Sequence, residues 1–167
     1  METSFTILSE IAVSGLTLQL IDYRLEVGAE CKDYSPDVRI CWWLQPNNVR
    51  TRWMEQSGDS TSLGSLMLFP SNKKTNGVVV ERKQDVRALV LRLNRDWAKA
   101  ATGATDEWND QGFDASLDFR HEHIRSNMRR LASEFAKPGF YSTALIESVG
   151  TSIAVDLFRH FQKQRNR

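Results

Sequence analysis

The chain has 167 residues, 41% hydrophobic and 26% charged, with a formal net charge of +1. That length is most simply one domain with a proper core, and the composition is that of an ordinary globular protein. The charge supplies no bulk pull toward nucleic acid or an anionic membrane, and no apolar run nears the ~18 residues of a membrane helix. Local balance is less even: residues 1–37 hold seven acidic and two basic side chains, residues 46–95 nine basic and four acidic. This is either a lopsided surface or two ordinary solvated faces. The two cysteines, Cys31 and Cys41, form no CxxC pair. With no charged-then-apolar leader, the expectation is a cytoplasmic protein with both thiols free.

In chain order, Ile7–Val13 and Leu16–Val27 read as strands split by Ser14-Gly15, with Leu16, Leu18 and Leu20 alternating with Thr17 and Gln19. Tyr34-Ser35-Pro36-Asp37 is a turn cluster. Val38–Leu44 follows as a strand with Val38, Ile40, Trp42 and Leu44 on one face and Arg39, Cys41 and Trp43 on the other. Further strands are expected at Val49–Met54, Leu66–Phe69, Val78–Glu81 and Val86–Leu93. Six or seven short strands with frequent turns predict a sandwich or small barrel. Asp96–Ala101 reads as a short helix, and Thr102–Ala115 as an acidic connection.

From Ser116 the period changes. Ile124, Met128, Leu131, Ala132 and Phe135 fall on one helix face, and Pro138-Gly139 stops that helix. Leu145, Val149, Ile153, Leu157 and Phe161 then recur every four residues. Gly150 and Ala154, four apart, allow a close backbone approach. The stripe either packs on its own barrel or forms a dimer surface, and the dimer candidates are Leu145, Val149, Gly150, Ile153, Leu157 and Phe161.

Chemical motifs are sparse. GxSxG, Walker-type and GxGxxG patterns are absent, and nothing marks a catalytic residue. All three histidines, His121, His123 and His160, lie in the helical tail, whereas a metal-binding barrel needs histidines converging from strands. His121 and His123, two apart on a helix, diverge by about 200°. No metal or cofactor is therefore expected. Trp42 and Trp43 are adjacent, so one enters the barrel while the other packs under the helices or faces water. Aromatic residues at a barrel mouth beside arginines suit a small organic ligand. The candidates are Arg39, Trp42, Trp43, Arg52 and Trp53, with Arg50 a further nearby arginine. The alternative is that the aromatics are core residues.

The succession Trp42-Trp43, Arg52-Trp53, Gly64–Pro70 and Arg87–Leu93, followed by Asn127–Leu131, Glu134, Pro138-Gly139-Phe140 and Leu145–Leu157, resembles the N-terminal sensor and dimerisation half of AraC/XylS-type bacterial transcription regulators. The likeness covers nearly the whole chain and is strongest from Asp118 to Phe161. It implies an α+β fold: a cupin-like effector-binding β-barrel or sandwich over residues 1–115, then a helical dimerisation segment over residues 116–167. It implies a homodimer, a small organic effector, no membrane contact and no catalysis. DNA binding would reside in a C-terminal helix-turn-helix domain that this chain does not contain. Arg159, Lys163, Arg165 and Arg167 would then begin an interdomain linker rather than form a DNA-binding patch. The competing readings are a stand-alone cupin-type enzyme and a small-molecule-binding module with no DNA partner.

Overall fold

Ser14 and Gly15 divide the first apolar stretch into two ten-residue strands. Ser14 takes φ 54° and Val13 pairs with Leu16 across the turn, so β1 (Ser4–Val13) and β2 (Leu16–Leu25) form an antiparallel hairpin. Gly15 meets a second demand, because a Cβ there would lie 2.2 Å from Cβ of Trp97. The computed structural model describes residues 2–53, 61–81, 83–104 and 115–165. Its other strands are β3 (Glu30–Asp33), β4 (Val38–Trp43), β5 (Arg50–Trp53), β6 (Thr61–Ser62), β7 (Leu66–Phe69), β8 (Thr75–Glu81) and β9 (Gln84–Leu93). Three helices follow: α1 (Arg95–Thr102), α2 (Glu122–Ala136) and α3 (Ser142–Arg165).

The strands form two antiparallel sheets, one ordered β1-β2-β9-β4-β7 and the other β3-β8-β5-β6. Away from its exposed edge strand β1, the larger sheet is covered on both faces, which explains why β7 is buried at all four positions and β9 reads as a nearly continuous apolar run. One face, with Leu16, Leu18, Val38, Ile40, Leu89, Leu91 and Leu93, packs under the helices. The other, with Ile21, Cys41, Trp43, Met67, Phe69 and Val90, faces the smaller sheet. The alternation read from residues 38–43 is the one observed.

The helices are set by local chemistry. The Asn94 side chain caps α1 by accepting from the amides of Asp96 and Trp97, and Gly103 closes it at φ 62°. Glu134 stays near the end of α2 and accepts from the Gly139 amide at 3.0 Å and from the Ser142 hydroxyl. It thereby ties the Pro138-Gly139 turn to the start of α3. Ile124, Met128 and Leu131 of α2, together with Ile146, Val149, Ile153, Leu157 and Phe161 of α3, complete the outer core.

Three readings need correction. The tail is not helical from Ser116: Ser116 bridges Leu68, and the Phe119 amide donates to the Leu66 carbonyl, so this stretch extends the large sheet beyond β7. Leu117 and Phe119 are buried there, and α2 begins only after His121 caps it. The second strand ends at Leu25, before Val27 and Gly28 (φ 83°). β3 and β6 were not expected, since Glu-Cys-Lys-Asp has no apolar alternation and β6 spans two residues. Of the expected features, Met54 and most of the Thr102–Ala115 connection lie outside the described residues.

Candidate functional site

The space between the two sheets is a cavity of about 420 Å³, within the range of roughly 300–1,000 Å³ usual for small-molecule sites. Its walls are built by strand parity. β2 contributes Gln19, Ile21 and Tyr23, β4 contributes Arg39, Cys41 and Trp43, β7 contributes Met67 and Phe69, and β5 contributes Thr51 and Trp53. Phe5 and Ile7 of β1 also line it while being 60% and 46% exposed, so an apolar rim reaches from the interior to solvent.

Of the five ligand candidates, the structure brings together Arg39, Trp43 and Trp53. Trp42 points the other way and packs against the outer core under the helices. Arg52 is exposed and does not line the cavity, because its neighbours Thr51 and Trp53 take the inward positions. Tyr23 and Asp33 were missed. Tyr23 shares the parity of Ile21 on β2, a signal present in the sequence. Asp33 stands on the short polar strand β3 and carried none.

Polar groups in the wall are organised around Arg39, whose two terminal nitrogens donate to the two carboxylate oxygens of Asp33. Burial disfavours the charged guanidinium, but the Asp33 hydrogen bonds and charge outweigh it, and the pKa of Arg39 ends above its ordinary value. The same guanidinium lies 5.1 Å from the centre of the Phe69 ring. Arg92 is the cross-strand neighbour of Arg39 and is paired separately, with Asp37 at 3.0 Å. Tyr23 and Trp43 meet edge-on, with ring centres 5.5 Å apart. The Trp53 indole N–H donates to Thr51 Oγ1 at 2.7 Å, whereas that of Trp43 is buried without an acceptor.

Burial, then the neighbouring Cys41 and Asp33, pushes the Tyr23 phenol well above its ordinary pKa. Burial also pushes Cys41 up to about 12 and raises Cys31. These groups are protonated near neutrality, so the wall offers neutral donors and no thiolate nucleophile. Among the described residues no group of three or more His, Cys, Asp or Glu is placed to hold a metal ion. The histidines lie outside the cavity, where His121 and His160 gather around Phe119.

All six dimer candidates sit at the core under α3. Val149, Gly150, Ile153, Leu157 and Phe161 are buried in this chain's own core, and Leu145 is half-buried against it. Those buried side chains are therefore not available to a partner. The outward side of α3 carries Thr143, Ala144, Ser148, Ser152 and Arg159 as exposed positions. It is flanked by one groove toward α1, at Trp97 and Ala144, and another toward α2, at Asn127 and Val155. Among the described residues no helix is long and apolar enough to cross a membrane.

No protein-family model matches this chain, and no curated protein matches it. Solved structures match its fold. Apo ToxT K231A from Vibrio cholerae strain SCE256 is 11% identical over 92% of this chain and 58% of that one, with a TM-score of 0.58. The cupin domain of Schizosaccharomyces pombe Cnp3 is 13% identical over 65% of this chain and 77% of that one, at 0.41. A cupin-like protein from Ralstonia eutropha JMP134 is 10% identical over 55% and 59%, at 0.38. The fold is an α+β sandwich of two antiparallel sheets with C-terminal helices, and the chain spans 58% of the length of the ToxT chain.

Proposed function

We propose that this chain is the effector-sensing and dimerisation domain of an AraC/XylS-type transcription regulator, cytoplasmic and non-catalytic, with DNA binding assigned to a C-terminal unit outside these residues. One observation carries the reading. Adjacent residues of β4 put Trp43 in the cavity wall and Trp42 under the helices, so a single strand separates a bound molecule from the helix pair. An effector that favours one setting of that strand shifts the population of helix arrangements on the other side. The likeness to ToxT over barrel and helices together supports the same division of the chain. Self-association would use the outward side of α3, with a partner's side chains entering its two flanking grooves.

Sedimentation velocity with and without a ligand that raises the melting temperature tests this. The expected result is a dimer whose dissociation constant changes on saturation. Binding with no change in self-association would leave a small-molecule-binding module. Conversion of the ligand would establish an enzyme on the same barrel, a reading that the raised pKa values of Cys31 and Cys41 disfavour for thiolate chemistry.

A further inference from the structure

We infer that His121 is an acid-labile latch: neutral, it caps α2 and holds that helix end against α3, and protonated, it releases the first turn of α2.

The latch is built from the residues around the cap. Just before it, the Phe119 amide donates to the Leu66 carbonyl and ties the chain to the large sheet. The backbone of His121 is still extended, at φ −148° and ψ 105°. Its Nδ1 accepts from the Ile124 amide at 3.4 Å, and its carbonyl accepts the first helical bond, from the Arg125 amide at 2.9 Å. The imidazole stacks on the Phe119 ring with centres 5.9 Å apart. Phe119 in turn meets His160 of α3 edge-on at 5.1 Å. The His121 ring therefore joins the sheet extension, the start of α2 and the last turns of α3.

An imidazole accepts through Nδ1 only when its proton sits on Nε2. A second proton turns Nδ1 into a donor aimed at the Ile124 N–H, itself a donor, so the cap is lost. It also sets a positive charge at the positive end of the α2 dipole. The surroundings do little to offset that charge. His123 and His160 stand 6.1 and 6.3 Å from the His121 ring, and burial, then His121 and Lys163, lowers the pKa of His160. The nearby carboxylates are engaged: Asp118 by Arg120 at 2.8 Å, Glu122 by Arg125 at 3.9 Å, and Asp156 with His123 at 4.0 Å, in a groove that Arg159 shares. The capped form has no place for the second proton, so falling pH moves the balance to the open form. His121 is only half-buried, which lets water deliver that proton. What opens is the first turn of α2, which carries the fully buried Ile124.

The test is amide hydrogen exchange of the full chain followed by NMR, with rates corrected for the intrinsic effect of pH. Between about pH 7.5 and about pH 5 the protection of the Ile124 amide should fall about fivefold or more, the worth of one helix cap. His121→Asn supplies a cap that takes up no proton, so there the Ile124 amide should keep its protection across the same range. The Met128 amide, in the middle of α2, should hold steady in both proteins. An equal fall at Ile124 in both, or no fall in the wild type, would overturn the inference. If His121→Asn fails to fold, the ring-nitrogen chemical shifts of His121 near neutrality decide the case. A proton on Nε2 supports the latch, and a proton on Nδ1 rules it out.

Discussion

A Cβ at Gly150 would lie 2.6 Å from Leu16 Cδ1 and 3.0 Å from Cδ2, so α3 meets β2 where neither has room to spare. The close approach that Gly150 and Ala154 allow is to this chain's own sheet. Overpacking a filled core costs roughly 1–3 kcal/mol, and replacing a helical glycine returns up to about 1 kcal/mol. Gly150→Leu should therefore lower stability by a net of about 1–2 kcal/mol, read as a fall in urea midpoint. Adding Leu16→Ala should cost less than its cost alone, because the new side chain fills the vacated space. Strict additivity would place Gly150 away from Leu16.

Leu157 is fully buried between α3 and the sheet. Leu157→Glu puts an unpaired carboxylate there, a change expected to cost about 4 kcal/mol or more. The predicted result is loss of cooperative unfolding by circular dichroism. A well-folded variant that merely falls apart into monomers would mean that Leu157 faces a partner.

Asp33 holds Arg39 at the cavity wall, and both side chains are mostly buried, 26% and 14% exposed. Removing one partner of such a pair leaves a buried charge, at a cost of about 3 kcal/mol. Asp33→Ala should show that loss in denaturant unfolding, and Asp33→Ala with Arg39→Met should recover a substantial part of it. No recovery in the double variant would mean that the two residues act independently.

His160 gives a pH dependence. Burial first, then the charges of His121 and Lys163, lowers its pKa below the ordinary 6.5. Below 6.5 the unfolded chain takes up a proton that the folded chain resists, so this contribution is present above 6.5 and is lost as pH falls from there toward the lowered folded value. The drop in urea midpoint between about pH 7.5 and about pH 5.5 should be smaller for His160→Gln than for the wild type. Equal drops would mean that His160 does not sense acid in the folded state.

The legible parts of the fold were those where one residue's neighbours fix its side. Alternation in β2, β4 and β9 was visible because aliphatic and polar residues take turns, and the adjacent pair Trp42-Trp43 had to split across the sheet. The same parity separates Arg52 from Trp53 and puts Tyr23 with Ile21, a sorting that aromatic and basic character alone does not make. Asp33 was out of reach: it sits on a polar four-residue strand, and its partner Arg39 reaches it only through the fold. The α3 stripe showed that a face is covered without showing by what, since an apolar period is the same whether the cover is a sheet or a second chain.

The most direct measurement is native mass spectrometry of the chain at low micromolar concentration, after incubation with a small molecule that raises its melting temperature. The expected result is a dimer carrying one small added mass per subunit. A clean monomer with no added mass would contradict both halves of it.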